Sequence, residues 1–314
     1  MMNNNLLRIV FFGSGEFGLP TLEALRERGH DIPAVVSQPD RPAGRGGKTR
    51  PTPIGARARE LGLPVICPEK PNTPEFEAEL RALAPDLAVV VAYGHLIGKP
   101  LLAVPRLGFV NLHASLLPAY RGAAPVPWAI LEGEHESGVS VFQLDERFDT
   151  GGVIARAALP ILPDDTSGTY LAKLAPIGGE LMVGAVADIA AGRAQPQPQD
   201  NASASRAPKF SKDDGRIDWS LPFAVIERKV RAFQPWPQAF TVFRTAKGDL
   251  RVNVVAMTRA EGVAGEPGGV LSADAGSGLV VATGDGPARI VRLQPEGKRA
   301  MSDTDFLRGT KIEK

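Results

Sequence analysis

The sequence predicts an α/β fold: a Rossmann-like, mainly parallel sheet followed by a small β-barrel domain of OB-like type. Three observations lead there. Apolar strand-like runs alternate with helical patterns from Leu7 to His113, and such alternation specifies a parallel sheet with right-handed crossovers. A polar, Pro-rich stretch at 192–208 interrupts the pattern, and after it short strands recur at even spacing between glycines, as in a small barrel. A chain of 314 residues also exceeds one small domain. The expected division is 1–191, a connector at 192–208, and 209–314.

Leu7 to Phe12 reads as the first strand, Gly13-Ser14-Gly15-Glu16-Phe17-Gly18 as a tight turn, and the stretch carrying Leu19, Leu22 and Leu25 as a helix closed by Gly29. The three glycines match G-x-G-x-x-G, with Asp40 placed where a ribose-binding acid would stand. A nicotinamide site is therefore one reading of this turn, and close packing of the first helix on the first strand is the other. Residues 38–53 hold four basic residues, three glycines and four prolines, a composition that excludes helix and strand and suits either a solvated loop or an anion-binding one. Beyond it come a helix at 54–61, a strand at 64–67, a helix at 75–83 and a strand at 87–93 buried on both faces.

The stretch from Gly108 to Pro127 begins as a strand and ends as a Pro-rich loop. Strand alternation puts Asn111, His113 and Ser115 on one face and Val110, Leu112 and Ala114 on the other. In a parallel sheet, ligands bind beyond the carboxyl ends of the strands, which is where this amide and imidazole fall. A helix follows at 126–131, then strands at 139–144 and 153–159 flanking the Asp149 loop. A helix at 169–191 should kink or split near Ala175, ahead of Pro176. The second part brings a helix at 222–232 and strands at 239–244, 250–256, 269–271, 278–282 and 290–293. Trp219 and Trp236 are expected in its core.

Asn111-x-His113-x-Ser115-Leu116-Leu117-Pro118, with Arg121-Gly122-Ala123-Ala124-Pro125 and Asp149-Thr150-Gly151, resembles the active-site signature of the folate-dependent formyltransferases. The run from Asp40 to Gly46, Arg216-Ile217-Asp218-Trp219, Arg231-Ala232-Phe233 with Pro235-Trp236-Pro237, and the run from Leu293 to Met301 are similar to members of that family that formylate methionyl-tRNA. The resemblance implies transfer of a formyl group from 10-formyltetrahydrofolate to the amino group of methionyl initiator tRNA. It implies Asn111 and His113 at the oxyanion and Asp149 orienting the imidazole and moving a proton. Ser115, Leu116, Leu117 and Pro118 would line the folate site, and Arg41, Arg45 and Lys48 would reach the end of the acceptor stem. Departures from the usual pattern are Ala114 for glycine, Gly152 for aspartate, and Gly13-Ser14-Gly15 for Gly-Thr-Pro. The rival readings are a formyltransferase acting on an amino-sugar nucleotide, a nicotinamide-binding protein, and a noncatalytic RNA-binding protein.

Composition narrows the classes. Hydrophobic residues at 43% and charged residues at 23% are ordinary for globular domains. No apolar run of bilayer length and no signal peptide is read from the sequence. The single cysteine, Cys67, permits no intrachain disulfide. No H-E-x-x-H and no cysteine pair is present, so no metal site is expected. A monomeric cytoplasmic protein is the expectation. The net charge of +1 conceals a basic second part, with 18 Lys and Arg against 13 Asp and Glu from Asn201 onward.

Overall fold

The computed structural model describes residues 6–42, 49–262 and 264–313. They form two compact units, the first comprising 1–125, 136–160 and 171–208, the second 126–135, 161–170 and 209–314.

The first unit contains β1 (Arg8–Gly13), α1 (Leu19–Glu27), β2 (Asp31–Val36), a two-strand ribbon of β3 (Arg41–Pro42) and β4 (Thr49–Arg50), α2 (Pro53–Glu60), β5 (Val65–Ile66) and α3 (Pro74–Ala82). It continues with β6 (Leu87–Val91), α4 (Lys99–Leu102) and β7 (Phe109–His113). Helix α5 (Pro125–Glu132) comes next in the chain, its residues from Val126 onward belonging to the second unit. Then β8 (Glu136–Gln143) and β9 (Val153–Pro160) return to the first, followed by α6 (Ser167–Ala190), which joins it from Leu171. The sheet order is β5-β2-β1-β6-β7-β8-β9. Strands β5 through β7 run parallel, and β8 and β9 run antiparallel.

The local chemistry explains these elements. Every residue of β6 is buried, so its unbroken Leu-Ala-Val-Val-Val run has an apolar layer on each face. Thr52 and Thr73 cap α2 and α3 by accepting the N–H groups of Gly55 and Phe76, each helix opening on a proline. A Cβ on Gly13 would lie 2.7 Å from the Phe11 ring and 3.0 Å from the Val91 carbonyl oxygen. That glycine is accounted for by packing.

Four sequence expectations are corrected. Residues 38–53 are not free of strand, because Arg41 and Pro42 pair antiparallel with Arg50 and Thr49; a two-residue ribbon leaves no periodic signal, and its outer edge accepts proline. Helix α6 does not split at Pro176 but runs as one helix from Ser167 to Ala190. Its packing overrides the lost backbone bond: Leu174, Met182 and Val186 are fully buried, and Cβ atoms on Gly178 and Gly179 would meet Leu112 and Pro20. The same 24-residue helix is long and apolar enough to cross a bilayer by length and composition, where the sequence reading recognised no such run. Half of its apolar stretch is spent on burial inside the fold.

The fourth correction falls in the second unit, where Trp236 is 47% exposed. Trp219 does pack against the core there, its indole N–H donating to Thr241 Oγ1 at 3.1 Å. This unit holds α7 (Phe223–Ala232), β10 (Phe240–Thr245), β11 (Gly248–Arg259), β12 (Val270–Asp274), β13 (Gly278–Thr283), β14 (Gly286–Pro295), β15 (Met301–Ser302) and α8 (Asp303–Gly309). The strands form one curled antiparallel sheet, ordered β10-β11-β14-β13-β12 with β15 on β14. Ile226 and Val230 of α7 and Phe306 of α8 complete a core with Val252, Ile290 and Leu293.

Candidate active site

Strand β7 sits where the sheet changes from parallel to antiparallel pairing, with Asn111 in register with Val90 and Phe142, and His113 with Ser140. One of its faces is closed by α6, since a Cβ on Gly178 would lie 2.5 Å from Leu112 Cδ2. The other face begins in the core at Phe109 and carries Asn111 and His113 toward the strand's carboxyl end. His113 is 6% exposed. Asn111 is half-buried, and its amide has no hydrogen-bond partner among the described residues.

His113 Nε2 lies 2.9 Å from the Tyr120 carbonyl oxygen. A carbonyl can only accept, so Nε2 carries the proton and Nδ1 is left to face Asp149. The Nδ1 to Oδ2 separation is 3.8 Å, an electrostatic contact longer than a hydrogen bond. Asp149 Oδ2 accepts the Gly122 N–H at 2.8 Å. The carboxylate expected to orient the imidazole thus faces it, while the orienting hydrogen bond comes from Tyr120.

The two loops that supply these groups are strained. Tyr120 has φ 60° and Asp149 φ 54°, and Ala92, just after β6, has φ 49°. Such left-handed non-glycine residues persist only where surrounding structure enforces them, and they concentrate at functional sites. Glycine supports the Asp149 loop: a Cβ on Gly151 would lie 1.7 Å from the Gln143 carbonyl oxygen, and one on Gly152 2.7 Å from Pro196 Cβ. Gly152, where the formyltransferase pattern has aspartate, leaves room for Pro196. Gln199 donates from Nε2 to the carbonyls of Asp149 and Gly151, both at 2.8 Å.

The remaining expected site residues are placed as follows. Ser115 is fully buried and its hydroxyl donates to the Ala119 carbonyl at 2.6 Å, tying a turn. Leu117 is 1% exposed; its N–H donates to Ser140 Oγ and its carbonyl accepts from Arg156. Leu116 and Pro118 are half-buried. Arg41 is exposed on the ribbon, in register with Arg50, and neither forms an ion pair among the described residues. Arg45 and Lys48 lie outside the described residues. A cleft of about 410 Å³ is lined by Arg147, Thr150, Gly151, Pro198 and Gln199, among others, but not by Asn111, His113 or Asp149. Beyond β6, Tyr93 is 1% exposed and burial pushes its phenol up to about 12. Sequence reasoning had Gly122 within the site motif but gave no role to it or to Tyr120, and it passed over Gln199. Two of these act through backbone atoms, which leave no side-chain signature.

Comparison with known proteins decides the family. Residues 7–186 match the formyl transferase domain and residues 209–311 the formyl transferase C-terminal domain. A methionyl-tRNA formyltransferase of Myxococcus xanthus is 46% identical over 97% of this chain and 96% of its own length, and one of Pseudomonas paraeruginosa 44% identical over 96% and 95%. The chain belongs to the methionyl-tRNA formyltransferase family. Among solved structures, HypX from Aquifex aeolicus in complex with tetrahydrofolic acid shares the fold at TM-score 0.67 and 20% identity, covering 98% of this chain and 48% of that one. This chain therefore spans about half of HypX. An N-formyltransferase from Helicobacter canadensis, with folinic acid and dTDP-3-aminofucose, aligns at TM-score 0.66 and 19% identity over 90% and 98%.

Proposed function

We propose that this protein transfers a formyl group from 10-formyltetrahydrofolate to the free amino group of methionyl initiator tRNA, acting as a cytoplasmic monomer. Residues 1–191 would carry the chemistry and 209–314 the second tRNA-binding domain. What supports this reading is that Asn111 and His113 stand two residues apart on one face of β7 near its carboxyl end, with the His113 imidazole 3.8 Å from the Asp149 carboxylate, in a chain of this family.

The reaction needs an oxyanion site and a route for one proton. The amine nitrogen attacks the formyl carbon, the carbonyl electrons move to oxygen, and their return expels folate N10. Asn111, whose amide has no hydrogen-bond partner among the described residues, donates to the oxyanion. His113 holds Nε2–H on Tyr120, so when protonated it presents Nδ1–H on the side where Asp149 stands. Asp149 stabilises that imidazolium and receives the proton lost by the amine, directly or through water, and that same proton passes on to the departing N10, so that the carboxylate is restored. Leu116 and Pro118 supply the wall for the folate.

Arg41 and Arg50 support an RNA substrate. Like charges directly opposite on a ribbon repel, and phosphate between or beside them relieves that repulsion. The deciding experiment is formyl transfer to methionyl initiator tRNA beside methionyl elongator tRNA and an amino-sugar nucleotide, with products identified by mass. Strong preference for the initiator is expected. Formylation of the sugar alone would replace the tRNA reading while keeping the site assignment.

A further inference from the structure

The segment 196–207 reads in sequence as a polar connector, yet it packs within the first unit against both loops of the site. Gln199 is the centre of these contacts. Its Nε2 spends both protons on the carbonyls of Asp149 and Gly151. Its Oε1 receives the fork of Arg121, from Nε at 3.0 Å and Nη2 at 2.8 Å. A primary amide has two donors and two acceptor lone pairs, so Gln199 is fully used, and all of it is directed at one loop or the other. The third branch of the guanidinium, Nη1, donates to Asn201 Oδ1 at 3.0 Å.

The Arg121 loop is itself in register with the connector. Arg121 N donates to the Ser205 carbonyl at 2.9 Å, and Ala207 N donates to the Arg121 carbonyl at 2.7 Å. Tyr120 N donates to Ser205 Oγ at 2.8 Å. Gly122, at φ 125°, approaches so closely that a Cβ would lie 2.6 Å from the Ala207 carbonyl oxygen. A circuit results: His113 is bonded to Tyr120, Arg121 follows and holds Gln199, Gln199 holds the Asp149 backbone, and Asp149 faces His113. Two left-handed residues, Tyr120 and Asp149, lie on that circuit, and their strain needs such external ties.

We propose that Gln199 and Arg121 are positioning residues for formyl transfer, setting the distance between His113 and Asp149 from the connector without touching the reacting atoms. This rests on the formyltransferase reading above. Gln199→Glu is the most informative substitution, because it keeps the size and the Arg121 fork while placing an acceptor against two carbonyl oxygens. Misplacement of catalytic groups by an ångström costs about 10²-fold in rate. Gln199→Glu and Gln199→Ala are therefore expected to lower kcat by about that factor while KM for 10-formyltetrahydrofolate and for methionyl-tRNA stays within roughly twofold. The pH dependence of kcat should move as well, since the imidazole then faces Asp149 at a changed distance. Arg121→Lys, which cannot form the fork, should show the same pattern more weakly. Gln197→Ala is the control, its exposed side chain donating to the Gln195 carbonyl and, among the described residues, to nothing in either loop of the site.

Wild-type kcat and an unmoved pH profile in Gln199→Glu would overturn the proposal. So would equal losses in kcat, in substrate binding and in thermal stability, which would mark a structural tie only. A wild-type protein inactive toward methionyl-tRNA would instead overturn the functional reading beneath it.

Discussion

Two buried aspartates, one in each unit, show how the same side chain is held for different ends. Asp303 is 2% exposed and its acceptors are used up: Arg289 donates from Nε at 2.8 Å and from Nη2 at 3.3 Å, Leu279 N donates at 3.1 Å and Thr304 N at 2.8 Å. Asp149 is 9% exposed, and its carboxylate accepts one backbone N–H, from Gly122. Its Oδ1 has no partner among the described residues. A saturated carboxylate fastens structure, whereas one with spare acceptor capacity beside an imidazole can take a proton or a new hydrogen bond. Asp149 also stands at φ 54° on a loop that glycines and Gln199 hold in place, a cost that the Asp303 site does not bear.

The comparison breaks most visibly on catalysis. Asp149→Asn keeps an oxygen for the Gly122 N–H, so the fold should survive while proton transfer is lost, and kcat should fall about 10³-fold. Asn111→Ala removes one oxyanion donor and should cost about 10²-fold to 10³-fold in kcat with thermal stability nearly unchanged. Asp303→Asn should leave the rate per folded molecule within about twofold, as removal of a remote, purely structural tie requires. Rate measurements on protein confirmed folded by its melting curve separate these outcomes. A catalytic loss in Asp303→Asn as large as that in Asp149→Asn would end the distinction.

How much of this contrast could be read from sequence follows from what each aspartate does. Asp149 lies in a Asp-Thr-Gly loop between two recognisable strands, and the site motif around Asn111 and His113 points to it. Asp303 lies after a two-residue strand and opens a seven-residue helix, elements too short for periodicity to reveal, and nothing near it in sequence names Arg289. The buried runs of β1 and β6 and the β8–β9 pair were legible because burial on one or both faces dictates residue type along the strand. The ribbon at Arg41 and the continuity of α6 through Pro176 were not, because backbone pairing and tertiary packing decided them. Gln199 was hidden for the reverse reason. In a Gln-Pro-Gln-Pro-Gln stretch a polar residue looks solvated, and only the folded chain shows that its amide is spent.

The next effect is on stability. Removing the Asp303 carboxylate with Asp303→Ala strips Leu279 and Thr304 of their acceptor and leaves Arg289 without its counter-charge. Because the Arg289 side chain is 36% exposed while that of Asp303 is 3%, water can recover the guanidinium but not the buried N–H of Leu279. The expected loss is roughly 2 kcal/mol, between the limits for exposed and buried pairs. Chemical denaturation of the folded protein measures it, and a loss below about 0.5 kcal/mol would place the pair with ordinary surface ion pairs.

The smallest effect is the pH dependence of that same contribution, and its sign is fixed. Burial alone would raise the Asp303 carboxyl, but the Arg289 and Leu279 hydrogen bonds outweigh it and hold the group below the usual carboxylate range. A group whose folded pKa lies below its unfolded value contributes stability above the unfolded value, about 3.9 for aspartate, and loses it as pH falls through the folded one. The gap in unfolding free energy between wild type and Asp303→Asn should therefore be constant from about pH 7 down to about pH 5 and narrow below about pH 4. A gap that persisted undiminished at about pH 3, well under the ordinary carboxylate value, would mean that packing and neutral hydrogen bonds, rather than charge, hold α8 to the sheet. Asp303 would then differ from Asp149 in how completely it is bonded, with its ionisation irrelevant to the fold.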